Sequence, residues 1–364
     1  MQERPAVGDI RAVGYPALDG VRTLAVFVVV LSHQAIWKQG WVGVQLFFVL
    51  SGYLITGILY RASRAPLRSY LRNFYGRRVL RIFPLYYAYL GAMAVAVLLG
   101  KMPIAIVERL EYAALYLANH YPGGEVGGRL LSHFWSLAVE EQFYLVWPFL
   151  IYFCPRRQLR GILIGLALLG VPIRYAVDFY FELPGYLAIS HVDAFSIGAL
   201  SALYPWRLGA IWARISTVAL WTVGLLLLNY IVPLVPGRYG WGYIVGVSVV
   251  NAASASLIEC LVNRQFLPGL FEHPVMRYCG KISYGIYIFH FPVQALVEKL
   301  LPGTHVLEQL VVQIALTVAI AAISYAQFES RFLVLKERWF PTAPSSPAPA
   351  SGVPDEGARV AKPS

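Results

Sequence analysis

About ten times between residues 22 and 328 the chain returns to a predominantly apolar run: 22–37, 42–60, 83–99, 133–153, 161–178, 191–205, 215–235, 241–262, 283–301 and 306–328. Runs of this length must satisfy their backbone internally and bury their side chains in lipid or in one another. The expected fold class is therefore all-α, a polytopic transmembrane helical bundle. Composition agrees, since 58% of residues are hydrophobic and only 13% are charged, about half the charged share of a soluble domain.

The net charge of +11 does not point to nucleic acid, because the basic residues gather in short clusters between apolar runs. They read as topology signals facing membrane lipid. Of the Lys and Arg residues, 21 fall on one side of the ten-span arrangement and 7 on the other, which puts both termini in the cytoplasm and the protein in the cell inner membrane. Residues 1–21 form a cytoplasmic arm without the apolar core of a cleaved signal peptide, 22–340 the membrane domain, and 341–364 a Pro/Ala/Ser-rich tail expected to be disordered. The stretch from Met102 to Asn119 has the pattern of an amphipathic helix lying at an interface. Cys154, Cys260 and Cys279 are far apart and show no metal-ligand spacing, so neither a disulfide framework nor a metal is expected.

Ionisable side chains inside spans are costly and face a cavity or a partner. In LDGVRTLAVFVVVLSHQ, Arg22 and His33 are eleven residues apart, so they share one helical face with about 16 Å of rise between them. A neutral imidazole suits the role of general base toward a hydroxyl. In SHFWSLAVEEQFYLVWP, His133, Ser136, Glu140 and Tyr144 make one helical stripe, and Glu140 is a candidate to orient His33 or balance its charge. Arg78 and Arg81, three apart in RRVLRIFP, suit phosphate through paired guanidinium donors, although arginine clusters also set topology in any membrane protein. Asp193 in HVDAFSIGAL either lines a cavity or is hydrated at the interface. His290 in KISYGIYIFHFPV, beside Pro292, serves either chemistry or packing. Gly43, Ser51 and Gly52 read as sites of close helix packing.

Taken in order, LDGVRTLAVFVVVLSHQ, GVQLFFVLSGYLITG, RRVLRIFPLYY, FWSLAVEEQFYLVWP, HVDAFSIGAL, GKISYGIYIFHFPV and SYAQFESRF resemble the bacterial acyltransferase 3 family of integral-membrane O-acyltransferases. The resemblance spans residues 18–332. It puts the family's Arg-x10-His motif on Arg22 and His33, its Arg-x-x-Arg motif on Arg78 and Arg81, and the glutamate of its SLxVE block on Glu140. It implies transfer of an acyl group, commonly acetyl, from cytoplasmic acyl-CoA to a hydroxyl of a surface polysaccharide or related glycoside. The substrate-binding set is then Arg22, Arg78, Arg81, Ser136, Asp193 and His290, with His33 and Glu140 catalytic and no metal. Gln45 stands where the family usually has Asp, and Val21 and Thr23 replace its commoner Leu and Gly. The competing reading of the same intramembrane residues is a transporter whose His, Glu and Arg form a proton or substrate pathway.

Overall fold

The computed structural model describes residues 15–34, 39–121, 128–179, 186–206, 209–230, 240–263 and 265–341. Every regular element among them is helical. The first half holds α1 (Pro16–His33), α2 (Val42–Ala62), α3 (Leu67–Leu98), α4 (Ile106–Ala114), α5 (Gly128–Leu131), α6 (Phe134–Phe153) and α7 (Arg156–Phe179). The second holds α8 (Val192–Leu203), α9 (Ala210–Tyr230), α10 (Gly240–Val262), α11 (Pro268–Phe271), α12 (Pro274–Lys281), α13 (Ser283–Leu300), α14 (Val306–Ser324) and α15 (Ser330–Trp339). The expected tail lies outside the described residues from 342 onward, as does the arm over 1–14.

Each of the ten apolar runs contains a helix, the ends of 22–37 and 215–235 lying outside the described residues. Seven helical stretches are long and apolar enough to cross a membrane, making this a multi-pass membrane protein: α1, α2, α3, α7, α9, α10 and the rod of α14 and α15. The three runs that fall short are α6, α8 and α13. Two of these carry polar side chains that the bundle covers, with Ser136 and Tyr144 buried on α6 and His290 and Gln294 on α13. The polar faces pack on neighbouring helices, while apolar side chains such as Leu145 and Val146 of α6 and Leu300 of α13 stay exposed on other faces. The third, α8, has 12 residues, about 18 Å of helix and too little for a ~30 Å hydrocarbon layer.

Local chemistry moves several expected boundaries. α1 begins at Pro16 rather than near Arg22, because proline is preset for the first helical position and Asp19 favours the positive end of the helix dipole. α3 starts at Leu67, well ahead of the apolar run at 83, so the arginines from Arg68 to Arg81 lie on the same 32-residue helix that carries that run. Only Ile106–Ala114 of the amphipathic stretch is α-helical; the chain then turns at Tyr116, in the left-handed region at φ 53°. Phenolic hydroxyls on α3 donate to carbonyls near the ends of α4 and α5, Tyr86 to Ala113 at 2.7 Å, Tyr87 to Ala114 at 2.9 Å and Tyr89 to Leu130 at 2.9 Å.

Small residues set the closest crossings. A Cβ on Gly52 of α2 would overlap the backbone of Phe195 on α8, and one on Gly280 of α12 would overlap the Asp19 carbonyl of α1. The latter contact fixes the helix end that bears Arg22, and the Thr23 hydroxyl ties the same pair of helices by donating to the Met276 carbonyl at 2.5 Å. Because the obstacle at Gly280 is backbone rather than a movable side chain, Gly280→Ala is expected to destabilise the protein by about 1–3 kcal/mol. Thermal unfolding in detergent checks this, and an unchanged midpoint would contradict so close an approach.

Candidate active site

One polar seam runs along α6, where the residues predicted to share a stripe do so. At one end His133 packs edge-on against His290 of α13, with ring centroids 5.0 Å apart. A turn further on, the Ser136 and Tyr287 hydroxyls are 2.6 Å apart and lie 3.0 and 3.1 Å from the His133 carbonyl, so one of them donates to that carbonyl and the other to its neighbouring hydroxyl. Glu140 follows, accepting hydrogen bonds from the Ser51 hydroxyl of α2 and from Tyr144. At the far end the Arg78 guanidinium lies 5.3 Å from the centre of the Tyr144 ring and 5.9 Å from that of Phe74. From His133 to Tyr144 the seam is eleven residues long, about 16 Å of helix.

The arginine end gathers residues from α1 and α3. Arg81 is within electrostatic range of Arg22 and Arg78, which repel it, and of Asp19, which attracts it. Arg22 is paired with Asp19, three residues back on α1. Neither Arg78 nor Arg81 makes a hydrogen bond or ion pair among the described residues, although both are half-buried. Two guanidinium groups that form no ion pair, with a third beside them and with Asp19 and Glu329 the carboxylates in electrostatic range of Arg81, have the charge and the donors to suit an anion. Arg77 does not join them, since it donates to both carboxylate oxygens of Glu337 on α15, at 2.9 and 2.8 Å, and to the Phe340 carbonyl.

The histidine end is built by α1, α6 and α13. His33, the last residue of α1, has its Nδ1 3.0 Å from Nε2 of His290, and its ring stacks on that of His290 at 5.0 Å and leans on Phe291 at 4.3 Å. Nδ1 of His290 is 2.6 Å from the Tyr287 carbonyl. Three glutamines wrap this pair. Gln294 donates to the His33 carbonyl at 3.0 Å and to Glu298 at 3.1 Å, and Glu298 pairs with Arg129. Gln34 donates to Gln313, which donates to the His290 carbonyl at 3.2 Å. No group of three His, Cys, Asp or Glu side chains among the described residues is arranged to hold a metal ion.

The predicted set therefore divides. Arg22, Arg78 and Arg81 converge at one end of the seam, and His33, His290 and, a turn away, Ser136 gather at the other. Glu140 does not meet His33: among the described residues its partners are Ser51 and Tyr144, and the imidazole's partner is His290. The reason is geometric, since Glu140 lies seven residues along α6 from His133, about 10 Å further down the helix axis. Asp193 lines no part of this seam. It is 0% exposed and held by both terminal nitrogens of Arg174 at 2.9 and 2.8 Å, while the Ser248 hydroxyl and the Ala194 amide take its remaining lone pairs at 2.6 and 3.0 Å. Gln45 is likewise occupied, 3.1 Å from a ring nitrogen of His191.

Sequence reasoning missed Ser51, read as packing only, and Tyr287. Each had a visible signal: Ser51 is the hydroxyl between the apolar residues of a span, and Tyr287 stands three residues before an intramembrane histidine, on the same helical face.

Comparison with known proteins gives a consistent picture. The sequence model of the acyltransferase 3 family, described as an acyltransferase domain, matches residues 15–327. Over 353 residues the chain is 30% identical to the peptidoglycan O-acetyltransferase OatA of Listeria monocytogenes, covering 86% of this chain and 55% of that protein. It is 29% identical to the putative peptidoglycan O-acetyltransferase YrhL of Bacillus subtilis, covering 85% and 53%. A putative O-acetyltransferase of Staphylococcus aureus is 26% identical, with 87% and 57% covered. The chain thus spans about half the length of the curated relatives it matches. No solved structure matches it.

Proposed function

Because the chain belongs to the acyltransferase 3 family, we propose that it is an O-acyltransferase of the cell inner membrane, both termini cytoplasmic, which moves an acyl group, acetyl first among the candidates, from acyl-CoA to a carbohydrate hydroxyl. The acceptor class is a surface polysaccharide or related glycoside, with peptidoglycan glycan the first to test because two relatives carry that name. The observation that carries this reading is the seam itself: unpaired guanidinium groups at one end, a hydrogen-bonded imidazole at the other, and hydroxyls and one carboxylate between them.

In this reading Arg78 and Arg81, with Arg22 beside them, hold the phosphates of the donor, and its pantetheine arm follows the seam toward His33. His33 takes the proton of the acceptor hydroxyl while the oxygen attacks the thioester carbonyl. The C–O bond forms, the C–S bond breaks, and the departing CoA thiolate takes up a proton. A thioester is already activated, so positioning together with one base is a sufficient catalytic device. Glu140 acts through the Ser51 and Tyr144 hydroxyls it holds in the seam, rather than on the imidazole.

The test uses purified protein in detergent with acetyl-labelled acetyl-CoA and peptidoglycan fragments. Label is expected in alkali-labile ester on the sugar, with free CoA released in equal amount. Flux of a sugar into proteoliposomes without CoA release would favour the transporter reading instead. In the same assay Arg81→Ala is expected to raise the KM for acetyl-CoA by about tenfold to a hundredfold, the equivalent of the ~1.5–3 kcal/mol carried by a hydrogen bond to a charged group, with kcat little changed. An unaltered KM would remove Arg81 from the donor site.

A further inference from the structure

We infer that His290 is a positioning residue which fixes the proton of His33 on Nδ1 and so leaves Nε2 of His33 as the basic atom. This rests on the reading of His33 as the base, and it assigns to His290 a role other than contact with substrate.

Three groups in line, the Tyr287 carbonyl, His290 and His33, fix where the protons sit. The Tyr287 carbonyl can only accept, so the nitrogen 2.6 Å from it, Nδ1 of His290, carries a hydrogen. A neutral imidazole has one N–H, which leaves Nε2 of His290 as a bare acceptor. The atom 3.0 Å from that acceptor is Nδ1 of His33, which must then be the donor. With its single proton committed there, a neutral His33 presents an unprotonated Nε2. The protons are assigned from the network, one donor to each acceptor, and the reverse assignment fails because it aims a lone pair at a carbonyl.

The surroundings hold this arrangement in place. His290 is 0% exposed, and its carbonyl receives Gln313. One turn along α13 from His290, Gln294 donates to the His33 carbonyl at 3.0 Å, so the same helix holds both the ring and the backbone at the end of α1. The two rings lie nearly parallel, 19° apart, and Phe291 covers both, at 4.3 Å from His33 and 4.4 Å from His290. A base is commonly oriented by a carboxylate, which also supplies charge. Here a neutral imidazole orients and supplies none. When Nε2 of His33 takes the acceptor's proton, Nδ1–H still donates to His290, so no proton has to leave His290.

Two measurements test this. Solid-state NMR of protein labelled with 15N-histidine and reconstituted in bilayers reads the tautomer directly, with His33 assigned by the signal lost in His33→Gln. The expected spectrum has His33 protonated at Nδ1 and bare at Nε2; a neutral His33 protonated at Nε2 overturns the inference whether or not the protein proves to be a transferase. In the transfer assay, His290→Leu removes the acceptor, and kcat is expected to fall about a hundredfold with the KM for acetyl-CoA within threefold of the original. His290→Gln offers an amide oxygen to Nδ1–H and is expected to stay within about tenfold. Equal losses in the two variants, or no loss in His290→Leu, would also overturn it, while the His33 reading would still stand if His33→Ala is inactive. Should His290→Leu fail to fold, the spectra of the original protein and of His290→Gln decide.

Discussion

Replacing His33 with alanine is expected to lower kcat for acetyl transfer by about a thousandfold, within the range that a positioned acid–base group contributes. The KM for acetyl-CoA should hold, because the imidazole stands eleven residues, about 16 Å of helix, from Arg22 and the donor's phosphates. A loss in kcat at constant KM is the signature of an interaction made only in the transition state. The substitution also leaves Nε2 of His290 without its donor in a buried site, a cost of about 1–3 kcal/mol that is separate from catalysis. His33→Gln separates the two effects, since its amide N–H can still reach that acceptor but a glutamine is not a base. It should retain near-normal thermal stability and be as inactive as His33→Ala. Transfer by either variant within threefold of the original rate would end the assignment.

Local periodicity made much of this site legible. Arg22 and His33 share a face because eleven residues nearly complete three turns, and His133, Ser136, Glu140 and Tyr144 fall on one stripe for the same reason; both features are found in the folded chain. Periodicity says which way a side chain points from its own helix and is silent on which helix stands opposite. That is why Glu140, an intramembrane carboxylate at a stripe position, was expected beside His33, and why His290 on a helix some 250 residues later is there instead. The crossings that decide such partnerships are written in small residues. Gly43 lets α2 close on the Ala25 carbonyl and Gly52 lets it close on Phe195, and the sequence offers no means of telling which glycine meets which helix. The polar stripes of α6 and α13 have the same origin. These two helices build the seam, and their polar side chains, Ser136 and Tyr144 on α6 and His290 and Gln294 on α13, answer to the bundle rather than to lipid.

Asp193 presents the same ambiguity in a form that one pair of variants resolves. Its carboxylate receives two parallel hydrogen bonds from Arg174, a third from Ser248 and a fourth from the Ala194 amide, which uses its acceptor capacity and leaves none for a substrate. α7 comes close enough to form the pair because position 170 is glycine; a Cβ there would stand 2.5 Å from the Asp193 carboxyl carbon. Arg174 is 3% exposed, so Asp193→Ala would strand a guanidinium inside the bundle, and breaking a buried pair from one side costs about 3–5 kcal/mol. Asp193→Ala is therefore expected to reduce the yield of folded protein and its unfolding temperature sharply. Replacing both partners, Arg174→Met with Asp193→Leu, removes the uncompensated charge and should recover most of that stability, because exchanging a buried ion pair for apolar side chains of similar volume is close to neutral. The folded double variant should also transfer acetyl groups with an ordinary KM for the acceptor, as a purely structural pair requires. If it folds yet loses acceptor affinity, or if Asp193→Ala is as stable as the original, then the carboxylate has a second task that its four hydrogen bonds conceal.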